Sequence, residues 1–292
     1  MAALKDIKRK ISAVKKTQQI TKAMNMVAAA RLRGSQARME NFRPYATKFA
    51  EVMTSVAGRV APDLHPLLVQ PEKVARIELL AFSSDRGLCG SFNMNTINAV
   101  DKFLKEKAGQ GLEVSLTLVG RKVRDYFRRR PVTIRQAHPN IMSSFDYPVA
   151  AGIARELMDA FQSDAVQEVW MYYTRFVSMG RQVVTLAKLL PISPPMEEET
   201  GAGQGLEFIF EPSVEGIMIE LLPKSVAIQV YNAMLETSTS EHAARMTAMD
   251  NATKNCKEMI LNLTLAYNKA RQSAVTAELL DIVGGAEALK RR

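Results

Sequence analysis

SEHAARMTAMDNATKNCKEMILNLTLAYNKARQSAVTAELLDIVGGAEAL (240–289) contains no proline, and no glycine before Gly284. Ala, Leu, Met, Lys, Glu and Arg dominate it, the residues that lose least on entering a helix. Extended back to about Ser225, the stretch predicts one helix of roughly 60 residues, about 90 Å long at about 1.5 Å per residue. A compact domain of this size is not that wide. Such a helix has to leave the body of the protein and find its packing partners elsewhere, which points to a mechanical or assembly part before an enzyme.

The other end of the chain predicts a second long helix over 5–57. Ile7, Ile11, Val14, Thr21, Ala28, Leu32 and Met39 approximate an a/d seam, interrupted by the polar Gln18 and Asn25. Small residues through the middle (Ala23, Ala28, Ala29, Ala30) let a neighbouring helix come close. Pro44 is expected to kink this helix and Gly58 to end it. Residues 1–43 hold eleven Lys and Arg against Asp6 and Glu40, a net charge of +9 that equals the charge of the whole 292-residue chain. Everything after residue 43 therefore sums to zero, and one strongly basic helix needs an acidic partner. No aromatic residue precedes Phe42, so support for stacking on nucleic-acid bases is missing.

Between the long helices the hydrophobic period changes. Strands are predicted at 76–84, 112–120, 131–137, 166–176 and 181–190, and helices at 92–108, 121–129 and 147–162. The VSMG turn (177–180) joins the last two strands as a hairpin. Strands alternating with helices predict a Rossmann-like βαβ domain over a mostly parallel sheet. The segments read as a shaft helix (1–58), a proline-rich linker (59–75), a central α/β domain (76–190), a second linker (191–212) containing LEFIFEP, and a C-terminal shaft helix (213–292) bent at Pro223. The fold class is thus α/β: a long antiparallel coiled coil of the two terminal helices, with the α/β domain inserted. Counted from the shared base, the C-terminal helix outruns its partner by about 20 residues, about 30 Å of helix. From near Tyr267 it has no helix of its own chain to lean on. Leu279, Leu280, Ile282, Val283, Ala286 and Leu289 make its tip apolar nearly all round, which demands a hydrophobic sleeve from another molecule.

Conventional chemistry finds little purchase. No stretch reaches the about 18 apolar residues of a membrane span, and the N-terminus lacks the apolar core of a secretory signal. Cys89 and Cys256 read as two ordinary thiols of a reduced compartment, and His65, His138 and His242 have no partner at metal-ligand spacing. SSDRGLCGSFN (83–93) follows a strand and opens a helix, the place of a phosphate-binding loop, yet it fits neither GxGxxG nor GxxxxGK[ST]. It reads as a tight strand-to-helix turn. Glu197–Glu199 read as a solvated loop, and IVGGAEAL (282–289) as a helix end.

QQITKAMNMVAAARLR (18–33), SDRGLCGSFN (84–93), SEHAARMTAMDNAT (240–253) and YNKARQSAVTAELLDIVGGA (267–286) resemble the γ-subunit family of F-type ATP synthases, in order and over nearly the whole length. The resemblance implies a non-catalytic central rotor shaft, one copy per complex, coupling proton flow to conformational cycling of the catalytic β subunits. It implies an α3β3 hexamer, an ε subunit and a c-ring as partners, no cofactor, no nucleic acid, and a peripheral place on the cytoplasmic face of the plasma (inner) membrane, held only through the complex. Met24, Arg245, Arg271 and Gln272 then fall in segments facing the hexamer. Arg31, Arg33 and Arg38 face acidic β-subunit loops, and Leu279, Leu280, Ile282 and Val283 turn in an apolar collar. The bacterial form is expected, since no transit sequence precedes MAALKDIKRKI and the regulatory cysteine-pair insertion of the chloroplast form is missing. The competing reading is a coiled-coil nucleic-acid-binding protein with an α/β insert; a dehydrogenase-like enzyme built on the insert is more distant.

Overall fold

The computed structural model describes residues 2–57, 65–192 and 214–290. The first long helix, α1, runs Ala2–Ala57, and the last, α5, Val214–Lys290. Between them lie β1 (Arg76–Phe82), α2 (Phe92–Gly109), β2 (Glu113–Val119), α3 (Arg121–Phe127), β3 (Thr133–His138), α4 (Tyr147–Gln162), β4 (Glu168–Ser178) and β5 (Arg181–Leu190). Both long helices continue through a proline, Pro44 and Pro223. Gly58 and LEFIFEP lie outside the described residues.

The sheet order is β3-β2-β1-β4-β5, parallel through the first four strands and antiparallel at β5, which returns from β4 as a hairpin. β1 is central, and its side chains are buried on both faces, which is why RIELLAF reads as a continuous apolar run rather than an alternation. Ile77, Leu79 and Ala81 pack with Val100 and Phe103 of α2 and Val123 and Phe127 of α3. On the opposite face Leu80 and Phe82 join Ile153 and Leu157 of α4, Met53 of α1, and Leu222, Val226 and Val230 of α5. Fully burying a Val, Leu, Ile or Phe side chain of this core stabilises the fold by roughly 1.5–3 kcal/mol relative to exposure. One charge interrupts this interior. Glu78, 0% exposed, accepts from Thr117 Oγ1 (2.5 Å) and from the Ser115 hydroxyl, and lies 3.1 Å from the Arg135 guanidinium.

The chain divides into two compact units, Met1–Ala28 with Met246–Arg292, and Ala29–Arg245. The first is an antiparallel helix pair. Asn25 Nδ2 donates to the Met246 carbonyl (2.8 Å) and Thr253 Oγ1 to Thr21 Oγ1 (2.8 Å), so residue numbers rise on α1 as they fall on α5. Along α1 the sheltered positions run from Leu4 to Met53 at alternating intervals of three and four, without a break. On α5 the same spacing runs from Met249 through Cys256, Ile260, Leu263 and Tyr267 to Ala274. A strict seven-residue repeat is the coiled-coil signature and imposes a left-handed supercoil. The stripe reaches further than counting from the base predicts. α1 begins at Ala2 and Thr21 faces Thr253, so shelter extends to Ala274 instead of ending near Tyr267.

Candidate partner-contact site

The Ala29–Arg245 unit has the topological feature that in open α/β sheets marks a ligand crevice: strand order reverses between β1 and β4. The loop leaving β1 there is tightly built. Asp85 Oδ1 accepts from the backbone N–H of Arg121 (2.9 Å) and of Asn140 (2.8 Å), and Asn93 Oδ1 accepts from Ser84 N (3.0 Å). Gly120 beside it has φ +98°, and a Cβ there would lie 2.2 Å from the Ser83 carbonyl oxygen, so no larger residue fits. A phosphate cradle turns backbone N–H groups towards its ligand. Here the loop instead turns the carbonyls of Arg86 and Gly87 towards Arg245 of α5, whose guanidinium donates to both at 3.2–3.3 Å. The helix of the chain itself occupies this end of the crevice.

Arg245, only 9% exposed, is also paired with Glu241 at 2.7 Å. Burial pushes the Glu241 carboxyl up, with Arg245 pulling against it. His242, between them in sequence, is lowered to about 4, first by burial and then by the positive charges of Arg245, Arg31 and Arg38. Burial likewise raises the Cys89 thiol, although Arg245 opposes it, so this cysteine is not an activated nucleophile. Both cysteines are free thiols.

The eleven basic residues of 1–43 are all exposed, off the sheltered stripe, and none is ion-paired among the described residues. Arg31 and Arg33 are exposed on the α1 surface, whereas Arg38 lies over the Phe145 ring (4.6 Å) and donates to the Phe145 carbonyl (3.2 Å). Arg31, Arg38 and Arg245 thus share one electrostatic neighbourhood around His242. In the helix-pair unit, Met24 is half-buried and Arg271 and Gln272 are exposed. Every described residue from Val275 to Val283 is exposed, with Leu279, Leu280, Ile282 and Val283 at 57–68%. The side chain of Leu289 lies outside the described residues.

Sequence reading missed two features. One is the buried polar run Thr237–Glu241 of α5, which meets β4. The other is the Glu78–Arg135 pair, whose only signal was one acid within an apolar strand. Among the described residues no helix is long and apolar enough to cross a membrane.

A family model described as ATP synthase matches residues 3–289. The chain belongs to the ATP synthase γ-chain family. It is 53% identical to the ATP synthase gamma chain of Syntrophobacter fumaroxidans, with all of both chains covered. Among solved structures it resembles a chain of the Tetrahymena thermophila mitochondrial ATP synthase central stalk and c-ring, at 28% identity and TM-score 0.59, covering 80% of this chain and 99% of that one. A chain of the Euglena gracilis mitochondrial ATP synthase shares the fold at TM-score 0.69 and 22% identity, covering 99% of this chain and 95% of that one. Family membership over the full length favours the γ-subunit reading over the nucleic-acid-binding alternative.

Proposed function

We propose that the chain is the non-catalytic central rotor shaft of an F-type ATP synthase, one copy per complex, turning inside an α3β3 hexamer and carrying proton-driven rotation from a c-ring. The observation that carries this reading is the full-length relation to gamma chains. The physical arrangement supports it: an exposed apolar helix end at Val275–Val283 calls for a sleeve, and an unpaired basic helix face calls for acidic loops. In this reading Leu279, Leu280, Ile282 and Val283 turn in an apolar collar of the hexamer. Met24, Arg271 and Gln272 line the same passage, and Arg31, Arg33 and Arg38 face acidic β-subunit loops. Arg245 contributes by holding the Arg86–Gly87 loop. The ε subunit and c-ring bind the α/β domain, and the complex holds the chain peripherally on the cytoplasmic membrane face.

The mechanism is conformational. A shaft that touches three β subunits differently biases each nucleotide site between open and closed, and can do so only by its differential contact energy with the two states. Mixing the purified chain with α and β subunits should give one chain per α3β3 by gel filtration and mass analysis. Free α3β3 eluting apart from the chain at micromolar concentration would overturn the reading. Calorimetric titration of the chain alone with magnesium–ATP should show no saturable heat.

A further inference from the structure

β1 pairs with β4 from Ile77↔Glu168 to Ala81↔Tyr172 and stops there. β4 runs on to Ser178 with β5 along its other edge, and beyond Tyr172 its inner edge pairs with no strand among the described residues. Side chains of α5 take the place of the missing strand. Thr174 N–H donates to Thr237 Oγ1 (3.3 Å), Ser240 Oγ donates to the Thr174 carbonyl (3.0 Å), and Phe176 N–H donates to Glu236 Oε2 (2.6 Å). Thr174, Thr237 and Ser240 are 2%, 0% and 0% exposed, out of reach of competing water. One turn further on, Arg245 binds the carbonyls of the loop that ends β1. The helix is therefore tied by directional bonds to β4 and to the loop that follows β1, the two strands between which sheet order reverses.

α5 also packs into the core of this unit through Met218, Leu222, Val226, Val230 and Met234. Apolar contact is non-directional, whereas a hydrogen bond weakens steeply as its angle departs from linear. Interdigitated packing already resists turning of the helix; the hydrogen bonds add a restraint with that steep dependence on angle.

We propose that Glu236, Thr237 and Ser240 form a torsional latch, positioning residues that transmit rotation of the sheet into α5. The latch rests on the rotor function proposed above. Its test uses the assembled membrane complex carrying Thr237→Val with Ser240→Ala, variants that keep side-chain volume and remove the bonds. In the isolated chain the Thr174 amide should exchange about ten-fold faster, the loss expected of one buried hydrogen bond. In vesicles, protons pumped per ATP hydrolysed should fall as the opposing gradient builds, and Thr237→Ser should restore the ratio. Val226→Ala serves as a matched cavity control and should leave the ratio at the wild-type value. An unchanged Thr174 exchange rate, a ratio that holds under load, or an equal loss in the Val226 control each overturns the latch. If the wild-type chain fails to couple hydrolysis to pumping, the rotor reading fails instead.

Discussion

One helix, α5, lives in two environments. From Ser225 to Arg245 it is sheltered on nearly every side, including the polar Thr237, Ser238, Thr239, Ser240 and Glu241. From Met249 to Ala274 it shelters a single seven-residue stripe, and from Val275 to Val283 nothing. The composition of both halves favours helix, so propensity does not distinguish them. What differs is what the rest of the chain places around them. The inner half is held against the sheet, and the outer half presents exposed surface, the surface that the proposed rotor function gives to a partner.

The sharpest break of that contrast lies in two ion pairs of identical spacing. Glu241–Arg245 sits in the inner half with side chains 7% and 11% exposed; Asp250–Lys254 sits just beyond it, with 51% and 72%. Arg245→Met leaves a buried carboxylate unpaired and should cost about 3–5 kcal/mol, read from urea unfolding by the fluorescence of Trp170 in β4. Lys254→Met should change stability by less than about 1 kcal/mol. Similar costs would mean the two halves do not differ in burial as described.

Leucine truncation sharpens the same comparison with somewhat smaller effects. Leu222, fully buried, should lose about 2–5 kcal/mol on replacement by Ala. Leu261, 57% exposed, should stay within about 0.5 kcal/mol by the helix signal in circular dichroism.

The pH dependence gives a third contrast. The His242 ring is held at about 4, below its ordinary 6.5, so the unfolded chain binds the proton more readily than the folded one. Its contribution is intact above pH 6.5, declines as pH falls towards 4, and then levels, with a slope of up to about 1.4 kcal/mol per pH unit. His242→Gln should flatten the wild-type slope in that window in urea titrations at stepped pH. The outer half of α5 contains no histidine and should show no such change.

The smallest effect on the isolated chain, and the largest on assembly, belongs to the tip. Leu279→Ser with Leu280→Ser should leave helix content and stability within about 0.5 kcal/mol, because both positions are exposed. The same variant should weaken co-elution with α3β3. Undiminished assembly would separate the tip from the proposed collar.

Much of the architecture was legible in local pattern. Period-two and continuous apolar runs located the five strands among the described residues, the VSMG turn marked the β4–β5 hairpin, and the seam from Ile7 to Met39 is the sheltered stripe of α1. The exposed apolar tip was legible for the same reason, since an all-round apolar helix end has nowhere of its own to pack. The register of the helix pair was less so. It depends on where Thr21 meets Thr253, a contact of residues 232 apart in sequence, and this moved the end of shelter to Ala274.

By itself, then, the sequence determined the elements, their order and the helix pair, because propensity and hydrophobic period act between near neighbours. Only the tertiary structure decided that α5 closes the crevice at the β1–β4 reversal, that Arg245 turns inward to carbonyls, and that Glu78 finds Arg135. A Thr, Ser, Glu or Arg side chain suits water as well as a buried partner. Which of the two it meets depends on groups far along the chain whose donors and acceptors become complementary only when the fold brings them within hydrogen-bonding distance.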